Sequence, residues 1–266
     1  MYDRFDRNIN YLRISVTDRC NLRCSYCMPE EGIQLLRHSD ILSFSEITSF
    51  TAAAVKYGVT KVRITGGEPL VRKGITALVR MISDISGIED LSMTTNGVLL
   101  KEFAVELKSA GLQRVNISLD TIDPEKFRAI TRTGDISQVF EGIKAAVNAG
   151  LLPVKINCVI KESKKEPEAM EVTRFCQDNN LEIRYIRQMD LVTGHFSPVD
   201  GGTGGDCQSC NRLRLTANGK LKPCLFSDIE LDIRELGFEK ALMKSVELKP
   251  ECGSKNETGK FYNIGG

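Results

Sequence analysis

Short apolar runs alternate with amphipathic stretches along residues 1–190. Tyr11–Val16 (YLRISV) switches between apolar and polar side chains at the period of a strand with one buried face. Further strands are predicted at Lys61–Thr65, Leu91–Thr95, Arg114–Leu119, Val154–Ile160 and Leu181–Met189. Between them the spacing becomes helical, at Ser45–Lys56, Ile75–Ile85, Lys101–Ala110, Pro124–Ile130, Val139–Ala149 and Pro167–Asn179. Ser45 stands where an N-cap is expected, Pro124 in a first helical turn, and Gly111 and Gly150 at C-termini.

This alternation predicts an α/β fold of parallel β/α units with right-handed crossovers. Such a sheet opens as a doubly wound layer or curls toward a barrel, and both gather ligands at the C-terminal ends of the strands. The unusual segments fall there: a cysteine loop after the first strand, GGEP after the second, TTNG after the third, and SLD closing the fourth. Beyond Met189 the pattern changes. A Gly-rich stretch at 194–205 leads to a hairpin of Leu213–Thr216 and Lys220–Pro223 around Asn218-Gly219, and a helical tail is predicted at Ile229–Val246. The chain therefore divides into residues 1–190 and 191–266.

Composition narrows the functions. Of 266 residues 41% are hydrophobic and 27% charged, with a net charge of +1, a balance that argues against long nucleic acid or a membrane surface as partner. No run of 18 apolar residues exists, and the charged N-terminus lacks the apolar core of a signal peptide, so a cytoplasmic location is expected. In such a compartment nine cysteines point to metal rather than disulfides. Six form two groups, Cys20/Cys24/Cys27 and Cys207/Cys210/Cys224. Cys158 and Cys176 lie in apolar-rich segments and read as buried small hydrophobes, and Cys252 stands apart.

The spacing C-x3-C-x2-C puts three soft thiolate ligands in one loop with no local fourth, the nearest histidine being His38. A structural zinc wants four protein ligands, whereas a cubane cluster held by three keeps one iron open for a cofactor. A zinc loop or a redox pair is the alternative. In the second group, His195 could complete a zinc site, but Arg212 and Arg214, on one side of an alternating strand, suit a cluster beside an anionic substrate.

With Tyr26 before its last cysteine, the first group resembles the signature of the radical S-adenosylmethionine (SAM) superfamily. Tyr11–Ile33, RITGGEPLVR, TTNG, NISLD, CNRLRLTANGKLKPCLF and the terminal Gly265-Gly266 together resemble the GTP 3′,8-cyclase family of molybdenum-cofactor biosynthesis over nearly the whole chain. The resemblance implies a partial parallel (β/α)6 barrel with a small C-terminal cluster domain. It implies two 4Fe–4S clusters, on Cys20, Cys24 and Cys27 and on Cys207, Cys210 and Cys224, with SAM as cofactor. Tyr26, Gly66, Gly67, Glu68, Ser118 and Met189 would contact SAM. Arg13, Arg63, Thr94, Lys155 and Arg184 would hold GTP with Arg212 and Arg214. The last two arginines and the Gly265-Gly266 tail would serve cyclisation itself. The implied reaction is abstraction of the ribose 3′ hydrogen of GTP by a 5′-deoxyadenosyl radical and closure to 3′,8-cyclo-7,8-dihydro-GTP. Its partners would be a one-electron donor and a downstream cyclic pyranopterin monophosphate synthase, and a homodimer is left open. Two features depart from the family: the connector at 190–206 is short, and Arg187 stands at a normally acidic position. The alternatives are a radical SAM enzyme with an auxiliary cluster acting on another substrate, such as a peptide, and a non-catalytic zinc-binding protein.

Overall fold

The computed structural model describes residues 1–189 and 196–253. Six parallel strands, β1 (Tyr11–Ser15), β2 (Lys61–Thr65), β3 (Asp90–Thr95), β4 (Arg114–Ser118), β5 (Lys155–Ile160) and β6 (Glu182–Arg187), stand side by side in chain order. Helices α1 (Phe44–Lys56), α2 (Ile75–Ser83), α3 (Leu100–Ser109), α4 (Pro124–Thr131), α5 (Ile136–Asn148) and α6 (Pro167–Asp178) connect them. The sheet continues past β1 through β7 (Arg212–Leu215), parallel to it, and then the antiparallel β8 (Lys220–Lys222) and β9 (Leu231–Asp232). It is an open, partial barrel with β6 and β9 at its edges. Among the described residues no helix is long and apolar enough to cross a membrane.

The period-2 pattern decides which face is which. Leu12, Ile14, Val62, Ile64, Val115 and Ile117 point to the helices and are fully buried in one continuous core. Cys158 and Cys176 belong to that core, as small apolar residues. The alternate positions carry the polar side chains. One row runs across five strands in register, Arg214, Arg13, Arg63, Ser92 and Arg114. The same register that packs the core therefore stacks guanidinium groups on the opposite face.

Two predicted boundaries move for identifiable reasons. Helix α1 is capped by Ser43 rather than Ser45: only Ser43 has a glutamate three residues on, and the Ser43 side chain and Glu46 exchange hydrogen bonds with each other's backbone. The tail predicted as one helix at Ile229–Val246 is instead β9, α7 (Ile233–Leu236) and α8 (Phe238–Glu247). Leu231–Asp232 pairs with Lys220–Leu221, Asp232 caps α7, and Gly237 at φ +80° breaks the helix.

Candidate active site

The first cysteine loop is fixed from two sides. On one, the backbone N–H groups of Gly67 and Glu68 donate to the carbonyls of Thr17 (2.7 Å) and Arg19 (2.8 Å). The two glycines permit this approach: a Cβ on Gly66 would lie 2.8 Å from the Thr17 oxygen, and one on Gly67 2.4 Å from that of Arg19. On the other side, the N–H groups of Arg23 and Ser25 donate to the carbonyls of Thr131 and Ile130 at the end of α4, and Arg132 donates to the carbonyls of Arg23 and Met28. Within the loop the N–H groups of Cys27 and Met28 both donate to the Cys24 carbonyl, a turn that draws the last two cysteines together.

Glu68 joins three motifs. Its buried carboxyl accepts from the Leu70 N–H (3.0 Å), the Thr95 hydroxyl (2.8 Å) and the Asn96 N–H (2.7 Å). Burial pushes it up to about 7 against these donors. Its carboxyl is thus used inside the scaffold, whereas the family resemblance implied a SAM contact. Asn96 in turn donates to Asn21 at 2.8 Å, within the cysteine loop.

All three thiols are free. Burial pushes each above the usual thiol range, Cys24 up to about 12 with Cys27 and Cys20 adding repulsion. Such a site takes up its thiolate form together with a cation. Tyr26 donates its hydroxyl to Asp120 (2.8 Å), whose other oxygen accepts from the Val159 N–H. Burial raises both groups, so the phenol stays protonated as a donor.

The second group sits where β7 and β8 enter and leave the sheet, Cys207 and Cys210 before β7 and Cys224 after β8. The Lys249 ammonium donates to the Cys210 sulfur (3.5 Å) and to the carbonyls of Arg212 (2.8 Å) and Pro223 (2.7 Å). Burial alone would raise the Cys210 thiol, but Lys249, a backbone hydrogen bond and the two arginines outweigh it and hold the thiol below its usual range. Cys224 stays raised by burial.

Both groups open on one cavity of about 590 Å³, within the range of small-molecule sites. Of the predicted SAM contacts, Tyr26, Gly66, Gly67, Ser118 and Met189 line it. Of the predicted substrate contacts, Arg13, Arg63, Thr94, Arg184, Arg212 and Arg214 line it. Lys155 does not: its ammonium is tied to Glu182 on the neighbouring strand. His195, Gly265 and Gly266 lie outside the described residues.

Several polar atoms on the cavity wall make no hydrogen bond: Arg13 Nε, Arg114 Nη1, Arg184 Nε, the Tyr11 hydroxyl and the Thr94 hydroxyl. Buried donors of this kind are costly unless a ligand meets them. The guanidinium groups also crowd one another. Arg13 is pushed well below its usual range by burial and by Arg214 and Arg63, and Arg63 and Arg184 are lowered by burial and by Arg114. Arg63 and Arg212 flank the Tyr11 ring at 5.5 and 5.6 Å. A polyanion would relieve this repulsion and satisfy the idle donors together. The thiols, soft ligands in two groups of three that border the same cavity, suit iron–sulfur clusters.

Four of these residues escaped the sequence reading. Arg114 faces the cavity in the guanidinium row, and Asn157 lies between Ser118 and Arg184 in register. Their signal was available as inward positions of predicted strands. Lys249 is found only through its contacts with the second cysteine group, and Asp120, although part of the SLD segment, gains a role only through its contact with Tyr26.

Comparison with known proteins agrees with this geometry. Residues 14–176 match the Radical SAM superfamily, and residues 162–252 match Molybdenum Cofactor Synthesis C. A GTP 3',8-cyclase of Thermodesulfovibrio yellowstonii is 44% identical, with 96% of each chain covered. The chain belongs to the GTP 3′,8-cyclase family. Another GTP 3',8-cyclase, from Geobacter sulfurreducens, is 39% identical over 100% of this chain and 99% of its own. The first alignment runs over 310 positions, more than the 266 residues here, so that relative carries segments that this chain lacks. The solved structure of Streptococcus suis SuiB bound to S-adenosylmethionine shares the fold, with a TM-score of 0.67 at 16% identity over 97% of this chain and 70% of that one. Membership in the cyclase family brings SAM and two 4Fe–4S clusters as cofactors.

Proposed function

We propose that the chain converts GTP to 3′,8-cyclo-7,8-dihydro-GTP, the first step of molybdenum-cofactor biosynthesis, with each cysteine group serving one end of a shared cavity. Residues 1–190 would carry the cofactor end, and residues 191–266 the auxiliary cluster. The observation that supports this most is the cavity wall itself, with two cysteine triads facing one space between which guanidinium donors stand without partners.

When bound at Cys20, Cys24 and Cys27, the cluster and SAM supply the 5′-deoxyadenosyl radical that takes the 3′ hydrogen of GTP. The chain's own residues bind and orient. Tyr26, held by Asp120, offers an aromatic surface beside the loop, and Gly66 and Gly67 let the backbone approach the cofactor. Arg13, Arg63, Arg114 and Arg184 neutralise the triphosphate through charge-assisted hydrogen bonds, each worth about 1.5–3 kcal/mol. Arg212 and Arg214 bridge from that row to the second cysteine group, where the base would lie. Holding the ribose against one end of the cavity and the base against the other is the positioning task that dominates such chemistry. An external one-electron donor and a downstream cyclic pyranopterin monophosphate synthase complete the set of partners.

The test is an anaerobic incubation of reduced protein with SAM and GTP, read by mass spectrometry. Loss of GTP in step with 5′-deoxyadenosine formation is expected. Formation of 5′-deoxyadenosine with GTP intact would reject GTP as the substrate.

A further inference from the structure

One short stretch near the end of the described chain, Lys249 to Gly253, touches all three cysteines of the second group. Lys249 Nζ lies 3.5 Å from Cys210 Sγ. Cys252 Sγ lies 3.0 Å from Cys207 Sγ. Gly253 packs so closely on the third that a methyl group there would stand 3.3 Å from Cys224 Sγ. The stretch is held by buried chemistry from the far end of the chain. The Arg7 guanidinium, paired with Asp3 at 2.7 Å, donates to the carbonyls of Cys207 (2.7 Å), Pro250 (2.7 Å) and Glu251 (2.8 Å). One cation therefore ties Cys207 and the residues before Cys252 to a common point. Cys252 is an exposed thiol carried on a fixed support.

An iron at a cubane corner has one terminal position, so two thiols can serve it only in turn and must both stand within reach of it. With the Cys207 and Cys252 sulfurs 3.0 Å apart, a small shift of either would exchange one for the other at that position. We infer that Cys252 is a fourth sulfur donor of the auxiliary site, sharing with Cys207 one iron corner of the cluster. Exchange breaks one iron–sulfur bond, forms another and passes one proton from the incoming thiol to the outgoing thiolate, with no change of oxidation state. A site built this way tolerates loss of Cys207 but not of Cys210 or Cys224, because the sulfur that Cys252 touches is that of Cys207. The exposed thiol also offers incoming iron a first foothold.

This inference rests on the reading of Cys207, Cys210 and Cys224 as a cluster site, and one experiment separates the two. Iron and sulfide are counted after anaerobic reconstitution, with electron paramagnetic resonance of the reduced state, in the parent, Cys207→Ala, Cys210→Ala and Cys207→Ala/Cys252→Ala. About eight irons are expected in the parent and in Cys207→Ala, and about four in the other two, the first cluster reporting that each chain is folded. If Cys207→Ala falls to about four like the double variant, the inference about Cys252 is wrong. If the parent itself holds only about four, the auxiliary-cluster reading fails instead. A second measurement needs no variant. Cluster-free parent treated with oxidised glutathione should yield a Cys207–Cys252 cross-linked peptide, the two thiols being oxidised as the reagent leaves as two reduced molecules. Recovery of glutathione adducts on these cysteines without the cross-link would contradict the shared corner.

Discussion

The two cysteine groups face the same cavity but meet different charges. Around Cys20, Cys24 and Cys27 the thiols are pushed up by burial, and the charges acting on Cys20 and Cys24 are Glu68, Asp120 and the cysteines themselves. Around Cys210 the neighbours are Lys249, Arg212 and Arg214, and the thiol is held below its usual range. The first site depends on a metal's charge to exist as thiolates. In the second, cations lower Cys210 while burial keeps Cys224 raised, and these cations continue into the row that faces the cavity. The difference suits the proposed division, with SAM at the first group and GTP beside the second.

The sharpest way to break the comparison is to remove one ligand from each group. Cys24→Ala should reduce 5′-deoxyadenosine formation to background, while Cys224→Ala should spare uncoupled SAM cleavage and abolish GTP consumption. Equal loss of cleavage in both would erase the division of labour. Next in size is Gly67→Ala, whose methyl group would sit 2.4 Å from the Arg19 carbonyl oxygen. We expect loss of the first cluster's iron with retention of the second, and about 1–3 kcal/mol of destabilisation, measured by iron content and thermal unfolding. Arg13→Ala removes a buried guanidinium with an idle donor. GTP affinity should fall about 10–100-fold by titration calorimetry, with SAM affinity unchanged.

The pH dependence sharpens the contrast. A protonated ligand must release its proton to bind metal, so affinity rises about tenfold per pH unit for each ligand still below its pKa. All three thiols of the first group are raised, Cys24 to about 12, so that rise continues past pH 9. Cys210 is lowered, so its share ends earlier. Cobalt titrations of cluster-free chains, each lacking the other group, should give a steeper slope for the first site near pH 9. Equal slopes would contradict the electrostatic account. The smallest effect belongs to Tyr26→Phe, which removes one neutral donor from Asp120 and should weaken SAM binding by roughly tenfold or less.

The sheet was legible because burial on one face leaves its mark on alternate residues: six strand assignments match to within two residues at either end. The cysteine groups stood out because three thiols in one loop have few other uses, and GGEP, a commonplace turn by itself, stood out because it closes the strand after the cysteine loop. What the pattern could not show is where a polar side chain spends its hydrogen bonds. Glu68 and Lys155 read as ligand contacts by position, and the structure adds what else they meet, three donors within the scaffold for Glu68 and Glu182 for Lys155. Lys249 and Arg7 carry no local signal for their part in the second cysteine group, because the groups they meet there lie far away in the chain, up to 244 positions for Arg7. Ser43 and Ser45 differ only in what stands three residues on.

The central claim is that both cysteine groups work on one molecule of GTP held between them. Its most direct test is single-turnover incubation with GTP carrying deuterium at C3′, under anaerobic conditions with reduced enzyme and SAM. The account predicts 5′-deoxyadenosine one mass unit heavier, formed in step with the loss of GTP. Unlabelled 5′-deoxyadenosine with GTP left intact would contradict it.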